Sequence, residues 1–354
     1  MDMPSLAKEY VKAVRHDVVE EADKILADAA KHVIIVVGKF ATSLPGGKGS
    51  TFRLQPQDQS HLCDSADEAA NAARMEILES GHEAALMALA NTVEHTRALR
   101  LDLRRSAGHD WTFVTLARAA LEGAAVCAYL LDVGIPPQQR LTRMAAIYLR
   151  GMLESARYDQ SFGQLIGAMS LGEDPPQDML DRQQQAVSTL ADRASRAVDS
   201  AISRYETAGM SVNAARSAVV LDGHVSPVRV RTTRLVADLM AKFGGGIHYQ
   251  IPSGIAHSQP WAIADSWYAG ARPRGLIDPV TTTAMALAAL IDRIAKYYEE
   301  EEPIGYLVAS VVNFVLRVDA WETAMAEWEG NNYSGSLPGW ESIGKDQPET
   351  ADQS

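Results

Sequence analysis

Apolar side chains recur every three or four positions along most of this chain, which is the spacing that places them on one face of an α-helix. In the first such segment, 6–40, the apolar positions include Val11, Val14 and Val18. Seven further segments have the same pattern: 64–105, 111–131, 138–167, 177–208, 229–243, 281–298 and 304–328. The pattern predicts an all-α fold, a multi-helix bundle built as one large or two closely packed helical domains.

Glycine and proline residues mark the ends of the predicted helices. A loop is predicted near 43–62, a turn at 223–227 and a break in the second helix near Gly81. The β-branched run 33–37 could alternatively form a short strand. These breaks predict three regions: an N-terminal helical region at 1–106, a main helical bundle at 107–329, and a polar, flexible and disordered tail at 330–354.

The composition is that of a globular protein, and the net charge limits the classes of partner that are expected. Hydrophobic residues make up 47% of the 354 positions and aromatic residues only 6%, a mix that favours close helix packing over a β-sandwich. The formal net charge of −12 repels phosphate backbones at long range, so nucleic acid is disfavoured as a partner. Long helices such as 177–208 offer surfaces for association, so a homo-oligomer is one expectation.

Location, metals and cofactors follow from what the sequence lacks. The first 17 residues carry no apolar run of the signal-peptide type, and the longest apolar stretch, 304–316, is shorter than the ~20 residues of a membrane span. A cytoplasmic protein that contacts no membrane is therefore expected. Glu79 and His82 have the Glu-x-x-His spacing of di-iron bundles, but a second such pair is missing, so no metal is predicted. The glycine-rich run 46–51 lacks P-loop spacing, and no cofactor is predicted.

Three polar residues spaced four apart mark a candidate site at Tyr249, Ser253 and His257. On a helix each step advances ~40° around the axis and ~6 Å along it, so the three polar tips share one face. A histidine within reach of a serine can activate it, and can also act alone as a general acid or base. The alternative is that Ser253 and His257 satisfy each other inside a polar helix junction.

Arg118 and Glu122 form a second candidate feature inside the apolar helix 111–131. Residues four apart lie on the same helix face and can pair, either as an ordinary salt bridge or as a buried pair. In the second case Glu122 could orient His257 from a neighbouring helix. Together these residues define a candidate polar pocket: Arg118, Glu122, Tyr249, Ser253 and His257.

The helix segment 116–122, the later Arg140 and Arg143, and the Tyr-x-x-x-Ser-x-x-x-His segment 249–257 resemble an uncharacterised family of helical proteins from high-GC bacteria. The resemblance covers roughly residues 110–300. It implies a bacterial helical protein and carries no activity with it.

A basic stripe on the helix 138–167 is the candidate anion-binding feature. Arg143, Arg150 and Arg157 fall seven apart, and with Arg140 they could hold a phosphate or carboxylate group. The candidate anion-binding residues are Arg140, Arg143 and Arg150. The alternative is a solvated face paired with nearby aspartate and glutamate residues.

Three functions are compatible with these features. The leading hypothesis is a non-catalytic helical protein whose polar pocket binds a small ligand or a protein partner. The second is a hydrolase or ribonuclease of a defence or toxin system, using His257, or using Arg104 and His109. That last pair has the Arg-x4-His spacing of the helical HEPN-type ribonucleases, although Arg105 departs from their pattern. The third is a structural, oligomeric component.

Overall fold

The computed structural model describes residues 3–43, 50–52, 58, 66–106, 111–169, 175–241, 274–298 and 304–332. Within them lie eight helices: α1 (Met3–Phe40), α2 (Glu68–Ser106), α3 (Trp111–Leu130), α4 (Pro137–Ala168), α5 (Gln177–Thr207), α6 (Thr232–Leu239), α7 (Arg274–Tyr297) and α8 (Gly305–Asn332). The prediction of an all-α multi-helix fold is confirmed. The candidate segment 249–257 and nearly all of the predicted tail lie outside the described residues.

Helix α2 runs without interruption through Gly81, so the predicted break at that residue is wrong. A side chain at Gly81 would overlap Met144 of α4, which explains why the position is glycine. Gly123 of α3 has a similar role, because a Cβ there would lie 2.7 Å from the carbonyl oxygen of Ala88 on α2. Both glycines therefore allow neighbouring helices to approach closely.

Two small antiparallel sheets were not predicted. In the predicted loop near 43–62, β1 (Ala41–Ser43) pairs with β2 (Ser50–Phe52), whereas the run 33–37 belongs to α1 and forms no strand. The second sheet has the order β3 (Ser211–Val212), β4 (Ala218–Leu221) and β5 (His224–Pro227).

The predicted turn at 223–227 is partly wrong, since only its first residue belongs to a turn. Asp222 and Gly223 have φ angles of 50° and 80°, which is the geometry of a two-residue hairpin with positive φ at both positions. The strand β5 follows at once and docks on α4 through the hydroxyl groups of Ser226 and Thr142, which are 2.8 Å apart. An Asp-Gly pair between alternating apolar residues is the sequence signal for this hairpin.

Buried apolar side chains of the described residues form one large cluster and one smaller cluster. The large cluster includes Leu78 of α2, Leu121 and Cys127 of α3, and Leu287 of α7. Because Leu78 precedes residue 106 and Leu121 follows it, side chains from both predicted regions share this core. The smaller cluster joins Leu26 of α1 to α3, α7 and α8.

Helix α3 is the one helix in the described part of the chain that is long and apolar enough to cross a membrane, over Thr112–Leu130. By sequence the longest apolar stretch is 304–316, since the apolar run of α3 contains Arg118 and Glu122. In the structure 56% of the α3 window is buried inside the protein. Burial of this kind is typical of the core helix of a soluble protein.

The far ends of α4 and α5 form a two-helix arm, comprising residues 150–169 and 177–193. Apart from Gly163, the buried residues of α4 lie between Arg140 and Leu149, and those of α5 lie from Ala194 onward. Within the arm the two helices run close together, since a Cβ atom added at Gly163 or Gly167 would meet Val187 at the distance of ordinary van der Waals contact. The opposite face of α4 is exposed.

Candidate functional site

A buried charge centre connects four distant parts of the chain. The Asp58 carboxylate accepts hydrogen bonds from Arg140 Nη2 at 2.9 Å and from the Tyr297 hydroxyl at 2.6 Å. Only 2% of the Arg140 side chain and 3% of the Asp58 side chain are exposed. A buried charge is stable only when it is paired and hydrogen-bonded. The Arg140–Asp58 pair meets that condition.

Hydrogen bonding continues from Tyr297 to His82 of α2, whose Nε2 lies 3.0 Å from the tyrosine oxygen. The single hydroxyl proton of Tyr297 is directed to Asp58, because an ionised carboxylate can only accept. His82 must therefore donate from Nε2 to Tyr297. His82 thus donates to Tyr297, and Tyr297 donates to Asp58.

The proton on Tyr297 is held firmly. Burial raises the pKa of Tyr297 well above its usual range, and the negative charge of Asp58 and the hydrogen bond to it raise the pKa further. The guanidinium of Arg140, whose Cζ lies 5.3 Å from the centre of the tyrosine ring, opposes this only in part. Tyr297 is a neutral hydrogen-bond donor at physiological pH, a role that suits structural bonding better than acid–base catalysis.

Arg140 and Arg143 also hold the C-terminal end of α3 and the residues that follow it. Arg140 Nη1 donates to the backbone carbonyl of Asp132, and Arg143 Nη1 donates to the carbonyl of Tyr129 at 3.0 Å. The last carbonyls of a helix lack partners within the helix and carry partial negative charge, so cations there are favourable. The Asp132 carboxylate binds Arg143 at 3.1 Å and Arg293 of α7 at 2.9 Å.

The three candidate anion-binding arginines do not form one open stripe. Arg140 is buried against Asp58, Arg143 is paired with Asp132, and Arg150 pairs with Glu154 at 2.8 Å on the surface of the arm. Each guanidinium therefore faces a carboxylate of the same chain. Binding of an external anion at these arginines stays a prediction. Such an anion would have to displace the carboxylates.

A pocket opens beside the charge centre. It has an empty volume of about 370 Å³, including space open to solvent. Its lining comprises Asp58, Arg74, Leu78, Pro137, Gln138, Leu141, Leu221 and Asp222. Two of its charged groups already have partners within the chain, since Asp58 binds Arg140 and Arg74 Nε donates to the Ala208 carbonyl at 2.8 Å. These contacts stabilise the pocket wall.

The predicted polar pocket is described only in part. Arg118 Nε lies 2.6 Å from Glu122 Oε1, with 15% and 31% of the two side chains exposed, so the expected pairing is present at the edge of the core. Tyr249, Ser253 and His257 lie outside the described residues. Their convergence with Arg118 and Glu122 stays a prediction.

The ribonuclease-type element is likewise described only at Arg104. Its Nη2 lies 2.7 Å from Asp23 Oδ2, and Arg100 Nε lies 2.9 Å from Asp23 Oδ1. Burial raises the pKa of Asp23, but hydrogen bonds and positive charges from the two arginines outweigh it, so the pKa lies below its usual range. His109 lies outside the described residues, and the element stays a prediction.

The Glu79 and His82 spacing does not produce a metal-binding pair, because Glu79 is exposed and His82 is buried against Tyr297. Within the described part of the chain, no group of three or more histidine, cysteine, aspartate or glutamate side chains is placed to hold a metal ion. The prediction that the protein binds no metal stays a prediction.

An exposed apolar face lies on the arm, and the sequence pattern did not predict it. Tyr158, Phe162, Leu165 and Met169 of α4 and its C-cap, called here the α4 stripe, are 68%, 43%, 59% and 60% exposed. The rings of Tyr158 and Phe162 are stacked, with centroids 6.1 Å apart. Contiguous apolar patches of this kind on soluble proteins commonly mark interaction sites. The paired glycines Gly163 and Gly167 were the signal that a different face of α4 contacts α5.

Comparisons of the chain with protein families, with curated proteins and with solved structures gave no significant match. The resemblance to an uncharacterised bacterial family therefore stays a prediction.

Proposed function

We propose that the protein is a non-catalytic helical binding protein that engages a helical segment of a protein partner through the α4 stripe. One observation carries the proposal: four large side chains of α4 and its C-cap are exposed on a face other than the one that packs on α5. The proposal places the protein in the bacterial cytoplasm, which agrees with the burial of the most apolar helix, α3, in the protein's own core.

The shape of the α4 stripe suits a helix as its ligand. Its residues are separated by four, three and four positions, the spacing of the apolar seam along which two helices pack together. Docking of one amphipathic helix on another is a common mode of protein recognition. The stacked rings of Tyr158 and Phe162 supply the aromatic contacts that often dominate the binding energy of an interface.

The charge centre and the Arg104–Asp23 pair favour binding over catalysis. Asp58, Arg140, Tyr297 and His82 are engaged with one another in the interior, and Arg104 is paired with Asp23. An acid or base must reach a bound substrate. Incubation of the protein with total RNA, alongside His257→Ala and His109→Ala, distinguishes the ribonuclease alternative, which requires cleavage that either substitution abolishes.

Site-specific photo-crosslinking tests the proposed function. A photoreactive phenylalanine analogue replaces Phe162 in the full chain, and the matched control carries it at Gln164, an exposed polar residue of the same helix. Irradiation in extract from the source organism should give a discrete adduct from position 162 and not from 164. The captured protein is then purified and should bind the wild-type chain directly.

The substitution Leu165→Glu should abolish that direct binding, because it puts a charge in the centre of the stripe, whereas Gln164→Glu should leave it intact. Equal crosslinking from positions 162 and 164, or binding that survives Leu165→Glu, contradicts the proposal.

A further inference from the structure

We propose that the partner of the α4 stripe is the same stripe on a second copy of this chain, paired antiparallel about a two-fold axis. The inference rests on the proposed function and names the partner. Four observations support it: the direction in which the stripe faces, the symmetry of its spacing, its local charge and its area.

The stripe faces away from the rest of the arm. A Cβ atom added at Gly163 or at Gly167 would lie 3.7 or 3.8 Å from a side-chain methyl group of Val187 on α5, so the two glycines mark the inner face of α4. At 3.6 residues per turn, the mean direction of the stripe lies about 150° around the helix from these glycines. A second helix can therefore pack on the stripe without displacing α5.

The spacing of the stripe is the same in both directions along the helix. The separations are four, three and four residues, from Tyr158 to Phe162, Leu165 and Met169. In an antiparallel pair this symmetry places Phe162 of one copy against Leu165 of the other, and Tyr158 against Met169. A two-fold interface makes each contact twice, which requires a surface complementary to itself. The thioether of methionine is also a favourable partner for an aromatic ring.

Local charge favours a second copy at this face. The whole chain has a formal net charge of −12, so two copies repel each other through most of their surface. Between 150 and 169 the charged residues are Arg150, Arg157, Glu154 and Asp159, two positive and two negative, which sum to zero. Two copies can therefore approach through this part of α4 without the general repulsion.

The exposed area of the stripe is about that of the apolar part of a dimer interface of ordinary size. From the exposed fractions of its four side chains, the stripe offers on the order of 400 Å² of surface, taking 150–250 Å² for a whole aromatic side chain. A stable interface buries about 800 Å² on each partner, of which somewhat more than half is apolar. The stripe supplies the apolar share, and the polar residues that flank it supply the rim.

Sedimentation equilibrium of the full chain tests the inference. The wild-type chain should change from monomer to a species of twice 38.3 kDa as its concentration rises through the micromolar range. The double substitution Phe162→Glu and Leu165→Glu should weaken dimerisation roughly 100-fold or more, because it charges both central contacts. The matched control Gln164→Glu, off the stripe on the same helix, should dimerise as the wild type does.

Cysteine crosslinking tests the antiparallel arrangement. The chain has two cysteines, of which Cys127 is buried, so the experiment uses a chain in which the other is replaced by Cys63→Ser. A mixture of Tyr158→Cys and Met169→Cys chains should form an intermolecular disulfide. Either variant alone should not, because identical positions at the ends of the stripe lie roughly 16 Å apart in an antiparallel pair. Circular dichroism checks that the glutamate variant is folded. If it is not, Phe162→Ser with Leu165→Ser replaces it.

A wild-type chain that stays monomeric up to 100 micromolar, a dimer that persists in the folded double variant, or disulfides from the single variants alone would overturn the inference. The photo-adduct from position 162 separates this failure from failure of the proposed function. An adduct with a different protein that binds directly through the stripe keeps the proposed function and removes the second copy. The absence of any adduct removes both.

Discussion

Two regions of this protein reverse the usual distribution of polar and apolar groups. The centre of the bundle holds the Asp58–Arg140 ion pair at 3% exposure or less, whereas the arm presents Tyr158 and Leu165 to solvent at 68% and 59%. The interior charges are bound to each other and to Tyr297, so they stabilise one arrangement of distant segments. The exposed apolar side chains gain most of their possible stabilisation only when a partner covers them. The interior ion pair therefore stabilises the fold, and the exposed apolar side chains are available to the partner proposed above.

The largest expected effect comes from the buried ion pair. Asp58→Asn leaves the guanidinium of Arg140 buried without its counter-charge, and loss of one partner of such a pair typically costs about 3–5 kcal/mol. The free energy of unfolding, measured with urea, should fall by that amount. Glu154→Gln, which breaks the exposed pair with Arg150, is the control and should change stability by less than about 1 kcal/mol. Similar losses for both substitutions would remove the distinction between the two regions.

Replacement of glycine by alanine should change the free energy of unfolding in opposite directions in the two regions. Gly123→Ala places a methyl group against the Ala88 carbonyl and should destabilise the protein by about 1–3 kcal/mol through overpacking. Gly151→Ala on the arm meets no atom within 4 Å and should stabilise α4 by about 0.5–1 kcal/mol, the advantage of alanine over glycine in a helix. Thermal unfolding of both variants measures the difference. The same sign at both positions would show that the arm is as tightly packed as the core.

In exposure Asp23 lies between the buried Asp58–Arg140 pair and the exposed α4 stripe, with 12% of its side chain exposed. Because Arg100 and Arg104 hold its pKa below the usual value, the folded state binds its proton less readily than the unfolded chain does. Its contribution to stability is full above the unfolded pKa of ~3.9 and is lost as the pH falls through the lower folded value. Asp23→Asn should therefore remove roughly 1 kcal/mol at pH 7 and little at pH 2, measured by urea unfolding at both pH values. A loss that is equal at both pH values would exclude this linkage.

The smallest effect on stability is expected at the α4 stripe. Leu165→Gln should change the free energy of unfolding of the monomer by less than about 0.5 kcal/mol, as is usual for exposed positions. Urea unfolding at a concentration below that of dimerisation measures this. A loss of several kcal/mol would mean that Leu165 is a core residue covered by the chain itself.

Sequence patterns predicted the helices well and the connections between them poorly. Helical spacing is a local property, and most of the described helices end within a few residues of the predicted bounds. The Arg118–Glu122 pairing was predictable for the same reason, since two residues four positions apart on a helix lie on the same face. Gly81 was misread as a break because the sequence gives no sign of the helix that packs against it.

The charge centre could not be predicted, because its members come from parts of the chain with no local relation. Asp58 and Arg140 are 82 residues apart, and His82 and Tyr297 are 215 residues apart. Arg140 was predicted to hold an external anion, because sequence alone does not show that the carboxylate of Asp58, in the predicted loop near 43–62, reaches it. The α4 stripe was hidden for the converse reason. Its spacing is that of any core-facing helix, and only the position of α5 shows that the stripe faces outward.

The enclosure of Cys127 in α3 gives this protein a built-in probe of transient opening. Burial raises the pKa of the Cys127 thiol far above its usual value, and only the thiolate reacts readily with alkylating reagents. In a chain that carries Cys63→Ser, iodoacetamide should therefore label Cys127 only in molecules whose central helix has left its neighbours. The labelling rate then reports how often the core opens, and a ligand or a second copy that slows the rate does so by holding the bundle closed.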